Sequence, residues 1–132
     1  MSMRVYTPLS EADEAVVTDA IGCAITVHRT LGPGFKESIY HHAFRLELES
    51  RRISFESEKP VIVRYRDWTI PGQRVDLIVA GVVLIEIKVI PKIRALHRAQ
   101  VLSYLRTTGL RVGVIINFNT TLMKHGIQRV AL

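Results

Sequence analysis

The 132-residue sequence has a single cysteine, a single tryptophan and no apolar run of membrane-spanning length. With one thiol, Cys23 can form neither an internal disulfide nor a Cys-based zinc site, so a reducing, cytoplasmic setting is expected. Its neighbours Ala24 and Ile25 mark it as a small core residue. The opening MSMRVYTPLSEADEA lacks the apolar stretch of a signal peptide. The later apolar runs are broken by Glu86, Lys88 and Pro91, well short of the ~20 residues a membrane helix needs. A soluble protein without a membrane partner is expected. Several catalytic signatures are missing too. There is no GxxxxGK[ST] loop and no GxSxG elbow. LGPGFKE departs from GxGxxG at Glu37 and follows a helix, which argues against a dinucleotide site. His28, His41, His42, His97 and His125 form no HExxH pattern, and the adjacent His41 and His42 must point to different sides of a helix, placing at least one on the surface.

What is present is ordinary globular composition, 48% apolar and 23% charged, in a length that suits one domain over residues 1–132. Eighteen Lys and Arg against twelve Asp and Glu leave a net charge of +6. That excess favours a polyanionic partner. No helix-turn-helix, zinc finger or aromatic-interleaved RNA-binding motif accompanies it, so recognition by shape or by strand ends is expected.

Periodicity orders the elements. Ser10 and Asp13 read as a capping-box variant, followed by Val16, Ala20, Cys23 and Val27 at helical spacing until Gly32-Pro33-Gly34. A second helix is predicted over residues 35–51, with Tyr40, Phe44 and Leu48 on one side. ISFE, PVIVRY and the run from Gln73 to Val89, divided at Ala80-Gly81, read as three or four strands, with a turn at Arg66-Asp67-Trp68. Pro91 then opens a predicted helix over residues 92–108, with Ala95, Ala99, Leu102 and Leu105 on its apolar side and Gly109 at C′. RVGVIINF and GIQRVAL complete a mixed α/β domain with one central sheet.

The unusual feature is RVDLIVAGVVLIEIKV, which places Asp76, Glu86 and Lys88 in strongly apolar strands. Buried charges cost several kcal/mol unless paired or bound to metal. Glu86 and Lys88 share a strand face. Whether Asp76 joins them depends on the turn: a two-residue loop sets it opposite Ile85, whereas a three-residue loop, Ala80-Gly81-Val82, pairs residue 79 with 83 and Asp76 with Glu86. Gly81 suits the left-handed position of the longer loop, which is the one expected. Facing carboxylates about 5 Å apart repel unless a cation lies between them, and all-oxygen ligation suits Mg2+ or Mn2+. A closed ion-pair network with arginines such as Arg74 is the competing, purely structural account.

Asp76, nine residues, then Glu86-Ile87-Lys88 resembles the D…(D/E)xK signature of the PD-(D/E)XK nuclease superfamily, with Val75 where the name-giving pattern has proline. Gly34-x-x-Glu37-x-x-Tyr40 after LGPGF, together with TGLRVGVIINF, resembles the GxxExxY family assigned to that superfamily. The resemblance runs from about Ala12 to Asn119. It implies a restriction-endonuclease-like αβββαβ core, a central mixed sheet flanked by helices, here with an additional N-terminal helix. Asp76, Glu86, the Ile87 carbonyl and Glu37 would hold Mg2+ or Mn2+, Glu37 directly or through water, and Lys88 would position or activate water. Gln100-x-x-x-Tyr104 is similar to a QxxxY motif of one branch, with Gln100 holding the carboxylates or a phosphate.

By itself Glu37 is a first-turn acid suited to a helix dipole, Tyr40 a core residue with a bonded hydroxyl, and Gln100 and Tyr104 a polar pair sharing a helix face with His97. Arg94, Arg98, Arg106, Arg111, Lys124, Arg129 and Lys92 supply basic charge, either as a solvated face or as phosphate contacts without sequence readout. The resulting expectation is metal-dependent phosphodiester hydrolysis of nucleic acid, DNA ahead of RNA, with Tyr104, His97, Arg94 and Arg98 contacting the substrate. Two alternatives stand beside it: a nucleic-acid-binding module without turnover, and a structural or interaction domain; a homodimer or a larger complex is the assembly expected.

Overall fold

A computed structural model describes residues 8–132; residues 1–7, the first seven of the fifteen read above for a signal peptide and the start of the expected domain, lie outside the described residues. Ser10 caps helix α1 (Glu11–Leu31) by accepting the Asp13 N–H at 3.1 Å. One side of α1, including Val17, Ala20, Cys23, Ala24 and Val27, is buried. Helix α2 (Glu37–Ser50) buries Tyr40, Phe44 and Leu48 at the predicted spacing. Both pack on one face of a five-stranded sheet against Leu77, Val79, Ile85, Val114 and Ile116. Within this core burial raises the Cys23 thiol above its ordinary pKa, which disfavours the reactive thiolate.

The strands are β1 (Phe55–Tyr65), β2 (Trp68–Val79), β3 (Val83–Lys88), β4 (Val112–Asn117) and β5 (Ile127–Ala131), paired in that spatial order. Only β3 and β4 are parallel, so the chain must cross over between them. Helix α3 (Ala95–Thr108) makes the crossover and covers the second sheet face, against Val75, Ile78, Leu84 and Ile115. The result is a helix–sheet–helix sandwich with a restriction-endonuclease-like order of elements.

Three expectations about local structure change. ISFE and PVIVRY form one strand, β1, which tolerates Pro60 because it lies at the sheet edge. β2 begins at Trp68, not Gln73, so the hairpin extends past the core as a two-stranded arm. Helix α3 begins at Ala95, not residue 92. The Arg94 N–H donates to His97 Nδ1 at 2.9 Å, which completes the first turn three residues beyond Pro91. Its buried side is Val101, Tyr104 and Leu105, while Ala95 and Ala99 are exposed. Only the later turns of α3 lie over the sheet; the earlier ones, with Leu96, His97, Ala99, Gln100 and Ser103, line a groove of about 430 Å3 beside Lys88.

The approach of α3 to the sheet depends on Gly113 in β4. A Cβ there would lie 2.6 Å from Val101 Cγ1 and 3.3 Å from the Leu84 carbonyl oxygen. Gly113→Ala is expected to cost about 1–3 kcal/mol through overpacking, and Gly113→Ala/Val101→Ala to recover part of that loss, read from urea denaturation. Equal losses in the single and double variants would mean that Val101 is not what the added methyl strikes.

Candidate active site

The site begins with a turn. Val82 N–H donates to the Val79 carbonyl at 2.9 Å, with positive φ at both Ala80 (51°) and Gly81 (68°). The ladder nevertheless pairs Val79 with Val83, Ile78 with Leu84 and Leu77 with Ile85. The extra residue, Val82, sets the register expected from the longer loop and brings Asp76 opposite Glu86.

At that pair the ladder stops and side chains replace it. The Asp76 N–H donates to Glu86 Oε1 at 3.3 Å, and the Ile87 N–H donates to Asp76 Oδ2 at 2.8 Å. Each carboxylate therefore accepts from the backbone of the other strand. Val75 and Leu77, two residues apart, join opposite cores, so the face alternation of β2 lapses across Asp76. In β1, Glu58 occupies the register position between the Ser57–Leu77 and Lys59–Val75 pairs, facing Asp76, and has φ 53°.

Lys88 closes the row. Its Nζ lies 3.8 Å from Glu86 Oε2 and donates to Gln100 Oε1 at 3.1 Å. The Lys88 carbonyl accepts from Phe118 N–H at 3.0 Å, and buried Asn117 exchanges hydrogen bonds with both the N–H (3.1 Å) and the carbonyl (2.9 Å) of Ile90. These bonds hold the chain where it leaves β3. On the opposite side, Tyr40 stacks on Phe118 with centroids 4.5 Å apart; its hydroxyl donates to the Gly32 carbonyl and accepts from Phe35 N–H. Tyr40 thereby pins the loop before α2, and Glu37, one turn earlier, sits close enough for its charge to act on Glu86.

Electrostatics in this cluster are poorly compensated. Glu86, 5% exposed, has its pKa pushed up to about 8, first by burial and then by the charge of Asp76. Burial also raises Asp76, against the pull of the Ile87 N–H, His41 and Lys88. Glu37, though an exposed residue, rises through partial desolvation of its carboxyl group and the charge of Asp76. Glu37, Asp76 and Glu86 share one lysine, and Glu58 adds negative charge beside Asp76. The donors fit a hard divalent cation: Asp76 and Glu86 offer carboxylate oxygens and Ile87 a carbonyl, and Mg2+ characteristically takes one or two carboxylates and keeps several waters. Among the described residues no three His, Cys, Asp or Glu side chains converge as a metal cluster.

Gln100 stands beside Lys88 as described, and His97 lines the same groove. With Nδ1 accepting from Arg94 N–H, a neutral His97 carries its proton on Nε2. Arg94 and Arg98 occupy the start of α3, the former exposed and the latter half-buried. Tyr104 is 8% exposed and accepts from Gln73 Nε2 at 2.7 Å. Arg129, expected in the basic shell, instead holds Glu14 with two bonds of 2.8 and 2.6 Å; pairing of β5 with β4 carries it toward α1. Sequence reasoning missed His41, Glu58, Gln73 and Asn117. His41 is buried one turn beyond Glu37, 3.7 Å from Glu58 Oε1, with no hydrogen-bond partner for Nε2 among the described residues; exposed His42 is its surface counterpart. The i+4 spacing from Glu37 was a usable signal for His41. Glu58 had none, because its place follows from the β1–β2 register.

A mixed sheet between helices, with Asp on one strand of a hairpin and Glu-x-Lys on the next, defines a nuclease-like α/β domain. The family model of the PD-(D/E)XK nuclease superfamily matches residues 14–130, and the chain belongs to that superfamily. Neither a curated protein nor a solved structure gives a significant match.

Because the fold prefers protonated Glu86, the stabilisation linked to this group is fully present below its ordinary pKa of 4.5 and is lost as the pH rises through about 8. Glu86→Gln, neutral at all pH values, should therefore raise the urea midpoint at pH 8.5 in EDTA and change it little at pH 4. An unchanged midpoint at pH 8.5 would show that the buried charge carries no cost.

Proposed function

We propose that this chain hydrolyses phosphodiester bonds in nucleic acid, with DNA the expected substrate and Mg2+ or Mn2+ the cofactor. The observation that carries the proposal is the reciprocal Asp76–Glu86 arrangement at the open end of the β2–β3 ladder. It holds two carboxyl groups together in a buried place, beside a lysine, where a purely structural role would favour apolar residues or full pairing. The superfamily supports the same chemistry at the level of nuclease-like function.

A bound Mg2+ or Mn2+ supplies Lewis acidity toward a phosphoryl oxygen and lowers the pKa of water. Asp76, Glu86 and the Ile87 carbonyl are the residues that would hold it. Lys88 orients the attacking water or offsets charge developing on the phosphate, and Gln100 fixes the direction of its ammonium group. Glu37 adds negative potential that strengthens cation binding. His97, Arg94 and Arg98 contact the substrate backbone from the groove side, and Tyr104 acts from its buried position through Gln73. A cytoplasmic location belongs to the same proposal: among the described residues no helix is long and apolar enough to cross a membrane, and the one thiol is buried.

A closed ion-pair network predicts compensated carboxylates; the upward pKa shifts of Glu37, Asp76 and Glu86 count against it. The test is cleavage of single- and double-stranded DNA and RNA with Mg2+ or Mn2+. Lys88→Ala and Asp76→Ala are each expected to lower the rate by about 10²-fold or more, and Asp76→Ala to abolish cation binding by calorimetry. Cleavage that survives both substitutions would overturn this mechanism. Cation and DNA binding without any cleavage would assign the chain to the binding-module class instead.

A further inference from the structure

The β1–β2 hairpin does not end where the core ends. Past Val61 the register shifts, and the ladder continues through Val63–Ile70, Arg64–Thr69 and Tyr65–Trp68, with every residue from 62 to 70 exposed. Alternation along the strands puts Val63, Tyr65, Trp68 and Ile70 on one face of this arm and Arg64 and Thr69 on the other. At the tip, Tyr65 and Trp68 stand 55% and 63% exposed, their rings 6.3 Å apart and 21° from parallel. The Arg66 guanidinium lies 5.5 Å from the centroid of Tyr65. Residues 60–75 hold three arginines, Arg64, Arg66 and Arg74, and one carboxylate, Asp67. None of the three arginines forms an ion pair among the described residues.

We propose that this arm is a stacking platform for unpaired bases, which directs the chain to substrates with a single-stranded segment. The proposal rests on the nuclease reading for its purpose and on the arm itself for its content. Exposed aromatic faces bind every base, because each base has a π-face, and arginines beside them answer the phosphates and add cation–π attraction. The excess of arginine at an apolar tip favours a polyanion over a second protein surface, which would place carboxylates opposite. Bases in a duplex are already stacked on their neighbours, so the platform selects unpaired ones. The arm also leads to the site: Trp68 and Asp76 lie on the same strand, eight residues apart. At ~3.3 Å per residue that is about 26 Å of reach, shortened somewhat by the bulge.

Trp68 is the only tryptophan in the chain, so its emission reports directly on the tip. The wild-type protein in EDTA is titrated with an oligothymidylate of about twenty nucleotides, long enough to span an OB-fold-sized site, and with a blunt duplex of equal length. Saturable quenching by the single strand and little by the duplex are expected. By anisotropy of a labelled strand, Tyr65→Ala and Trp68→Ala should each weaken binding roughly 5- to 150-fold, while Trp68→Phe retains most of it. Circular dichroism and the urea midpoint of these variants should match wild type, since both side chains are exposed. Binding that leaves Trp68 emission unchanged, or equal quenching by duplex, would overturn the proposal. So would an emission change that follows protein concentration without DNA and coincides with a dimer in sedimentation, because the tip would then belong to a second copy. Cleavage with a silent Trp68 defeats the arm and leaves the nuclease reading standing; quenching without cleavage does the reverse.

Discussion

Everything at the functional end of this molecule depends on one exchange: Asp76 and Glu86 each accept a hydrogen bond from the other strand's backbone where the β2–β3 ladder gives out. Backbone N–H groups inside a fold must be paired, and here the partners are acidic side chains instead of carbonyls. The carboxylates are thereby fixed in position before any ligand arrives. Their mutual repulsion and desolvation are the cost, visible in the raised pKa of Glu86. The apolar sandwich must supply the stability to tolerate that cost, and the two cores that clamp the sheet from both faces are its source.

Other features of the fold serve that exchange. The extra residue at Ala80-Gly81-Val82 sets the register that makes Asp76 and Glu86 neighbours. Asn117 and Phe118 hold the chain just after Lys88, so its ammonium group can bridge Glu86 and Gln100. Tyr40 fastens the loop in front of α2 and so sets where Glu37 enters the field of the other two acids. Charge is arranged in two zones: an acidic centre, where three carboxylates meet one lysine, and basic residues on the start of α3 and on the β1–β2 arm. On the proposed function, a phosphate backbone would be drawn to the second and would need a cation to approach the first.

Much of this was legible without coordinates. The order of helices and strands follows from the switch between helical and extended periodicity, and the odd-length turn follows from the need to explain an Asp and a Glu in apolar strands. The limits of local reasoning are equally specific. Pro91 suits a helix start and so predicts one at residue 92, whereas His97 caps the turn at Arg94 and α3 begins at Ala95. Its buried face was misjudged because Ala95 and Ala99 have helical spacing but lie where the helix overhangs the sheet. Arg129 is expected among the basic residues around the site, yet the β4–β5 pairing delivers it to Glu14, 115 residues away in sequence.

The sequence by itself determined the fold class, the register-setting turn and the identity of the acidic and basic groups available for chemistry, because periodicity, turn chemistry and the cost of buried charge are local properties. Only the tertiary structure decided which of those groups meet. His41 and Glu58 reach the neighbourhood of Asp76 through helix packing and strand register, and Tyr65 with Trp68 become an exposed tip because the hairpin outruns the core that would have buried them. Distances between residues far apart in the chain are set by the packing of whole elements, and no local pattern encodes them.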